Sequence, residues 1–360
     1  MLNDAISDRT FVRRVLIALL LIGLGCALWA AAHAILLLFG AVLFAVILRG
    51  LADLLPLPDR WAVTVVILLL AMLFGLAGWL MGATISEQFS QLTETLPDSL
   101  QKLERQLRST GWGREVMRMA NDAVPFGSNA GGAAGQSQGG GITGQVSQLV
   151  QKIGQYLLAA FGALGDLVLV LIGGIYLAYE PSLYRIGVQK LAPKDETALI
   201  RRTLDSSGEA LWKWSVGTLI GMAVIGLLTG TGLWLLGVPA PMALGLIAGL
   251  LEFVPMLGPI LAAIPAVLLA FTQDAALALW TALFYLLLQQ FEGNILFPII
   301  QRRAVALPPV VTLFALLVFG TLFGIVGVIF ATPLAVVLMV WVQILYVEQG
   351  LGKPVTVSGS

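Results

Sequence analysis

Histidine and cysteine are nearly missing from this chain of 360 residues: one of each occurs, His33 and Cys26. A single cysteine cannot form an intrachain disulfide or a thiolate metal site, and Cys26 reads as a small buried hydrophobe within an apolar run. A single histidine excludes a multi-histidine metal centre and an intrachain histidine relay. There is no G-x-x-x-x-G-K-[ST], so the chain brings no P-loop of its own for ATP. H-E-x-x-H does not occur, and with one histidine the general-base options shrink to carboxylates, which leaves an intramembrane hydrolase poorly supported. No enzyme activity and no cofactor are expected. Charge is scarce as well, at 11% of residues, with 20 basic against 20 acidic, so no basic stripe exists to attract nucleic acid.

What fills the chain instead is apolar. Hydrophobic residues make up 58% and the mean hydropathy is +0.93, far outside the range of soluble domains. No Asp, Glu, Lys or Arg falls between Val15 and Leu48 or between Ala304 and Val347, and no Lys or Arg between Trp214 and Gln301. A bilayer core needs about 20 apolar residues per helix. That ruler predicts spans near 15–31, 34–52, 61–83, 156–179, 214–236, 240–271, 275–298 and 309–346. The fold class is therefore all-α, a polytopic bundle of about eight spans. Pro255, Pro259 and Pro265 turn 240–271 into a broken or re-entrant hairpin, and Gly320 to Gly327 offers a turn within the last, overlong segment. The first run resembles a signal peptide, with Ala32-His33-Ala34 after it, but the apolar run that follows at once makes it the first helix of a hairpin.

These spans divide the chain into a three-helix region at 1–83, an extracytoplasmic stretch at 84–155, a fourth span at 156–180, a cytoplasmic amphipathic connection at 181–213, a C-terminal membrane region at 214–347 and a tail at 348–360. Arg9, Arg13, Arg14, Arg49, Arg60, the six cations of 181–213, and Arg302 with Arg303 mark the cytoplasmic side, so both termini are expected inside a bacterial-type inner membrane. Within 84–155, Phe89, Leu92, Leu96, Leu100, Leu103 and Leu107 recur in steps of three and four, the period of an amphipathic helix. Gly127 to Gly144 reads as a linker. Its Gly139 to Gly144 matches G-x-G-x-x-G formally, but no strand or βαβ unit surrounds it. Gly78/Gly82, Gly217/Gly221, Gly226/Gly230, Gly245/Gly249 and Gly320/Gly324 place small residues four apart, which lets helices pack closely.

A charge in the bilayer costs about 2.5 to 3.5 kcal/mol on insertion scales, so intramembrane acids are the candidates for function. Glu252 precedes Phe253-Val254-Pro255-Met256-Leu257-Gly258-Pro259, a unit expected to unwind and expose oxygen ligands beside the carboxylate. Glu292 lies among Gln289, Gln290 and Asn294, with Pro298 following. Spacing puts Gln289, Glu292 and Gly293 on one helical face and Gln290 with Asn294 on the next, a polar belt that reads as a pathway lining or as interhelical hydrogen bonding. Asp166 would be deep if its helix begins near Tyr156, whereas Asp274 and Glu180-Pro181 read as helix boundaries and His33 as a hairpin tip. The partners expected are a small polar solute or monovalent cation, protons, membrane lipid and further copies of the chain. A non-transporting scaffold remains the contrasting expectation, resting on the amphipathic stretch and the glycine faces.

Leu250 to Leu334, about a quarter of the chain, resembles the autoinducer-2 exporter family. The likeness rests on F-[IV]-P-x-[LIV]-G-P at Phe253 to Pro259, Q-x-x-E-x-N at Gln289 to Asn294 with Pro298 after it, Pro308, Gly320 to Gly327, and Ala331-Thr332-Pro333-Leu334. It departs at Leu307, where family members often carry histidine. The resemblance implies about eight helices, a homo-oligomer described as a pentamer, and either export of the autoinducer or exchange of sodium or lithium for protons.

Overall fold

The fold is a computed structural model, and it describes residues 23, 31–109, 165–190, 193, 196–301 and 307–353. All of the expected first span at 15–31 but Gly23 and Ala31, together with Cys26, the linker at Gly127 to Gly144, Arg302, Arg303 and the end of the tail, lies outside the described residues. So do the side chains of Phe89, Leu92, Leu96, Leu100, Leu103 and Leu107.

Among the described residues there are helices and connections and no strand. In chain order the helices are α1 Ala32–Ala52, α2 Asp59–Ser109, α3 Gly165–Tyr179, α4 Pro181–Lys190, α5 Thr197–Leu236, α6 Pro241–Leu251, α7 Leu257–Gln273, α8 Ala275–Phe291, α9 Phe297–Gln301 and α10 Pro309–Trp341. A π-helical turn, Glu292–Leu296, joins α8 to α9, and another, Val342–Glu348, extends α10. By length and composition five helices among the described residues can cross a bilayer, or six when the bent pair α3–α4 counts as one. This chain is a membrane protein. Two expected boundaries fall inside continuous helices. α2 runs without a break across 83–84, and α5 across 213–214, because no Gly–Pro break interrupts either junction.

Packing divides the described residues into two compact units. One gathers α1, the start of α2, α3, α4, the first part of α5, and α10. In it α1 meets α10 through Phe39 and Phe330, whose rings stand edge to face at 5.9 Å. It meets α3 at Gly174, where a methyl group would press on the Ala41 carbonyl and Phe44. At one end of this unit Arg49 binds Asp59 at 2.6 Å, Arg60 lies 3.6 Å from Glu180, and Arg202 grips Glu348 with two bonds of 2.7 and 3.1 Å. α10 is two helices joined at Gly324, whose φ of 65° and ψ of −145° are open to glycine. The expected turn within Gly320 to Gly327 is this kink.

The other unit holds the rest of α2, the rest of α5, and α6, α7 and α8. Here α5 and α6 cross backbone to backbone. A methyl group on Gly245 would lie 2.7 Å from the Cα of Gly230 and 2.8 Å from the Gly226 carbonyl, and one on Gly249 2.8 Å from the Met222 carbonyl. The glycine pairs at 226/230 and 245/249 therefore face each other, the contact that lets membrane helices pack without a hydrophobic drive. By contrast, no heavy atom of the described residues lies near the would-be methyl groups of Gly78 and Gly82. α6 has 11 residues, about 16 Å at 1.5 Å per residue, too short to cross a core of about 30 Å. It forms the first arm of the broken hairpin, with α7 as the second.

Candidate functional site

The carboxyl groups of Glu252 and Glu292 come together in the second unit, and helix length explains why. α7 and α8 each have 17 residues and are joined at Asp274, a single extended residue with φ −157° and ψ 144°. Each arm is about 25 Å long, so the residues at the far ends of both lie at one level. The far end of α7 is the hairpin tip, Glu252 to Met256, and the far end of α8 is Glu292. Tyr285 ties the arms on the way, its hydroxyl donating to the Ala262 carbonyl at 3.3 Å.

The tip folds tightly. Phe253 and Val254 donate their N–H groups to the Leu250 and Leu251 carbonyls at 3.3 and 3.0 Å, and Gly258 donates to Val254 at 2.9 Å. Pro255 supplies no N–H, Met256 takes a φ of 70°, and the chain passes so near Leu251 that a methyl group on Gly258 would overlap the Leu251 carbonyl. The expected unwinding is present at Pro255, whereas Pro259 lies in the first turn of α7, where no N–H is needed, and Pro265 lies inside the same helix; the Leu250, Leu251 and Val254 carbonyls each accept a hydrogen bond within the turn. Phe253 stacks edge to face on Trp214 at 5.6 Å, which fixes the tip against α5. At its start, α6 receives a polar residue from α2. The Gln88 side-chain oxygen accepts the Ala243 N–H at 3.0 Å, satisfying one of the N–H groups a helix start leaves open.

Glu252 is 7% exposed and Glu292 3%. Their carboxyl groups lie within hydrogen-bonding reach of each other. Among the described residues neither has a cationic partner, and Oε2 of Glu252 is buried with no hydrogen bond at all. Glu292 continues the buried face of α8, Ala278, Thr281, Tyr285 and Leu288, and Leu296 follows it one turn on. It opens the π turn, in which Phe297 donates to the Glu292 carbonyl five residues back. Such single π turns recur at functional sites. Pro298 is exposed just beyond and offers no N–H to the Asn294 carbonyl.

The structure does not bring the amides to this pair. Gln289 and Gly293, expected on the face of Glu292, are exposed, as are Gln290 and Asn294. The buried stripe runs through Leu288 and Leu296, four residues either side of Glu292, and this turns the amides outward. Asn294 donates to the Gln290 side-chain oxygen at 3.0 Å and to its backbone carbonyl at 2.9 Å, so two of the three amides satisfy each other. Asp166 is in the other unit, partly exposed and 3.0 Å from His33 Nε2. His33 is thus on α1 and tied to α3, not a free hairpin tip. Among the described residues no group of three or more His, Cys, Asp and Glu could hold a metal ion. Sequence reasoning missed Tyr285 and Gln88. Tyr285 had a signal, seven residues before Glu292 and so two turns along the same face; Gln88, 155 residues from its partner, had none.

A broken helical hairpin that presents a buried carboxylate to a second one at a π turn is a construction for handling small polar or charged species within a membrane. The comparisons with known proteins point the same way: residues 16–346 match the family described as AI-2E family transporter. The chain belongs to the AI-2E transporter family. Among its relatives, the "AI-2 transport protein TqsA" of Escherichia coli (strain K12) is 27% identical over 88% of this chain and 87% of its own. The "Putative transport protein YueF" of Bacillus subtilis (strain 168) is 27% identical over 75% and 73%. The "Putative transport protein YrrI" of the same organism is 35% identical, with an alignment that spans only about half of each chain, 56% and 55%. Membership of a transporter family agrees with the expectation of no enzyme activity. Within this AI-2E family transporter, the match spans both compact units and includes the two glutamates.

Proposed function

We propose that this AI-2E family transporter exports a small polar solute of the autoinducer-2 type across a bacterial inner membrane, with the Glu252–Glu292 pair as the proton-coupling site. One observation carries the reading: two acids far apart in sequence meet in a buried site that has no cation among the described residues. Two carboxylates side by side in a low-dielectric site repel, and a proton shared between them relieves that cost. A proton taken up on one side and released on the other couples solute movement to the gradient. The substrate class rests on the likeness to TqsA. The cytoplasmic placement of both termini is supported by the charges of the first unit. Arg49 with Asp59, Arg60 with Glu180 and Arg202 with Glu348 form ion pairs among segments that the positive-inside rule assigns to one side. Assembly as a homo-oligomer, a pentamer by the family resemblance, belongs to the same proposal and is checked by native mass spectrometry.

Exchange of a monovalent cation for protons is the second reading, and the placement of the amides favours it. With Gln289, Gln290 and Asn294 turned away, the pair offers carboxyl oxygens, one of them unpartnered, and these suit sodium or lithium better than a polyhydroxylated solute. Sealed proteoliposomes separate the readings. A pH gradient is imposed, autoinducer-2, sodium or lithium is added in turn, and internal pH and solute are followed for wild type, Glu252→Gln and Glu292→Gln. Solute or cation flux that requires both carboxyls names the substrate. Equal behaviour of wild type and both variants removes the coupling role and leaves a passive channel or an oligomeric scaffold.

A further inference from the structure

α4 has no buried residue. It follows α3, a 15-residue apolar helix that counts as a candidate span only together with α4, after a bend of 87°. The bend comes from Glu180-Pro181: proline disfavours helical geometry in the residue before it and is well suited to the first turn of the next helix. An apolar helix such as α3 enters the membrane along its axis, and a helix set at right angles to it where it ends runs along the membrane surface.

Its two sides differ. At 100° per residue, Leu183, Tyr184, Ile186, Gly187 and Val188 share one broad arc, and Arg185 and Gln189 occupy the opposite one. The polar arc faces protein. Arg185 donates to Asp205 of α5 at 2.9 Å, and Gln189 is half-buried. The apolar arc faces away, with Leu183, Tyr184, Ile186 and Val188 all exposed by 44% or more. This inverts the pattern of a helix packed onto a protein core and matches one whose solvent on its outer side is lipid. α4 also carries two cations and no acid. Lys190 projects between Ile186 and Leu183 at the C-terminal end of the helix, where its stem can follow the hydrocarbon while its ammonium reaches the phosphates. The acids nearby are engaged, Glu180 with Arg60 and Asp205 with Arg185 and Arg201.

We propose that α4 is an interfacial helix, lying in the plane of the membrane with its Leu183–Ile186 side at the boundary of acyl chains and headgroups in an anionic leaflet. The test uses the full-length protein with Cys26→Ser and single cysteines introduced as Leu183→Cys, Ile186→Cys or Gln189→Cys, each carrying an environment-sensitive fluorophore. The proteins are placed in phosphatidylcholine vesicles with or without phosphatidylglycerol. Quenchers are a spin label near the head of the acyl chain, one near its end, and aqueous iodide.

The expected result is that the shallow lipid label quenches positions 183 and 186 several-fold more than position 189, and more than the deep label or iodide does. In phosphatidylglycerol vesicles, Lys190→Glu should lower that quenching, with no change in phosphatidylcholine alone. Quenching mainly by iodide would place the helix in water and overturn the proposal. So would protection from all three quenchers, which would mean that another copy or segment covers the apolar arc, or strongest quenching by the deep label. An unchanged response of Lys190→Glu in anionic vesicles would overturn the preference for an anionic leaflet. None of these readings depends on transport, so they stand apart from the fate of the Glu252–Glu292 proposal.

Discussion

Two apolar segments of this chain break in the middle, and they break by the same construction. The α6–α7 hairpin turns at Glu252 to Met256, and α10 turns at Gly324. Each turn is closed by a glycine set against a carbonyl, Gly258 on Leu251 and Gly327 on Phe319, where a methyl group has no room. Each contains one residue with positive φ, Met256 or Gly324. They differ in what they enclose. The first buries Glu252 and is met by Glu292. The second lies in a stretch with no charged residue from Ala304 to Val347, and its polar Thr321 is satisfied by the Val318 carbonyl at 3.0 Å. A break in an apolar helix is a way to fold; the acid beside it makes one of the two a candidate site.

The comparison is sharpest at the acids themselves. Glu292→Gln, which keeps shape and removes charge, should reduce gradient-driven flux in proteoliposomes to the level of protein-free vesicles while leaving the folded yield unchanged. No single polar-to-isosteric change in the α10 break, Thr321→Val included, should do so. Next come the closing glycines. Gly258→Ala and Gly327→Ala each force a methyl group onto a backbone carbonyl, and each should cost about 3 kcal/mol, the upper end of overpacking, in equilibrium unfolding in mixed micelles. The flux per folded molecule should fall for Gly258→Ala and hold for Gly327→Ala; equal losses would break the distinction between the two turns. Gly324→Ala should cost about 1 to 3 kcal/mol, because it strains one residue in a backbone region essentially reserved to glycine, without a collision. Smallest is Tyr285→Phe, which removes a single interhelical hydrogen bond worth about 0.6 kcal/mol by unfolding measurements in membrane proteins.

Much of the architecture could be read from residue spacing. The glycines at 226, 230, 245 and 249 forecast a close helix crossing, and Pro255 with Pro259 forecast the broken hairpin, because both effects are local and steric. What depended on the third dimension was harder. The level at which Glu292 meets the tip is set by the lengths of α7 and α8, and no motif announces it. The amides of Gln289, Gln290 and Asn294 were grouped with Glu292 by helical spacing, but the apolar residues at 288 and 296 decide which side is buried. His33 and Asp166, read separately as a hairpin tip and a deep acid, turn out to be one pair 133 positions apart.

The matched lengths of α7 and α8 set a rule of inheritance for this part of the chain. A one-residue insertion in either arm would slide its far end by about 1.5 Å and rotate it by about 100°, carrying one carboxyl out of reach of the other. These two helices behave like facing scales of a slide rule. Viable descendants should keep both lengths or change them together.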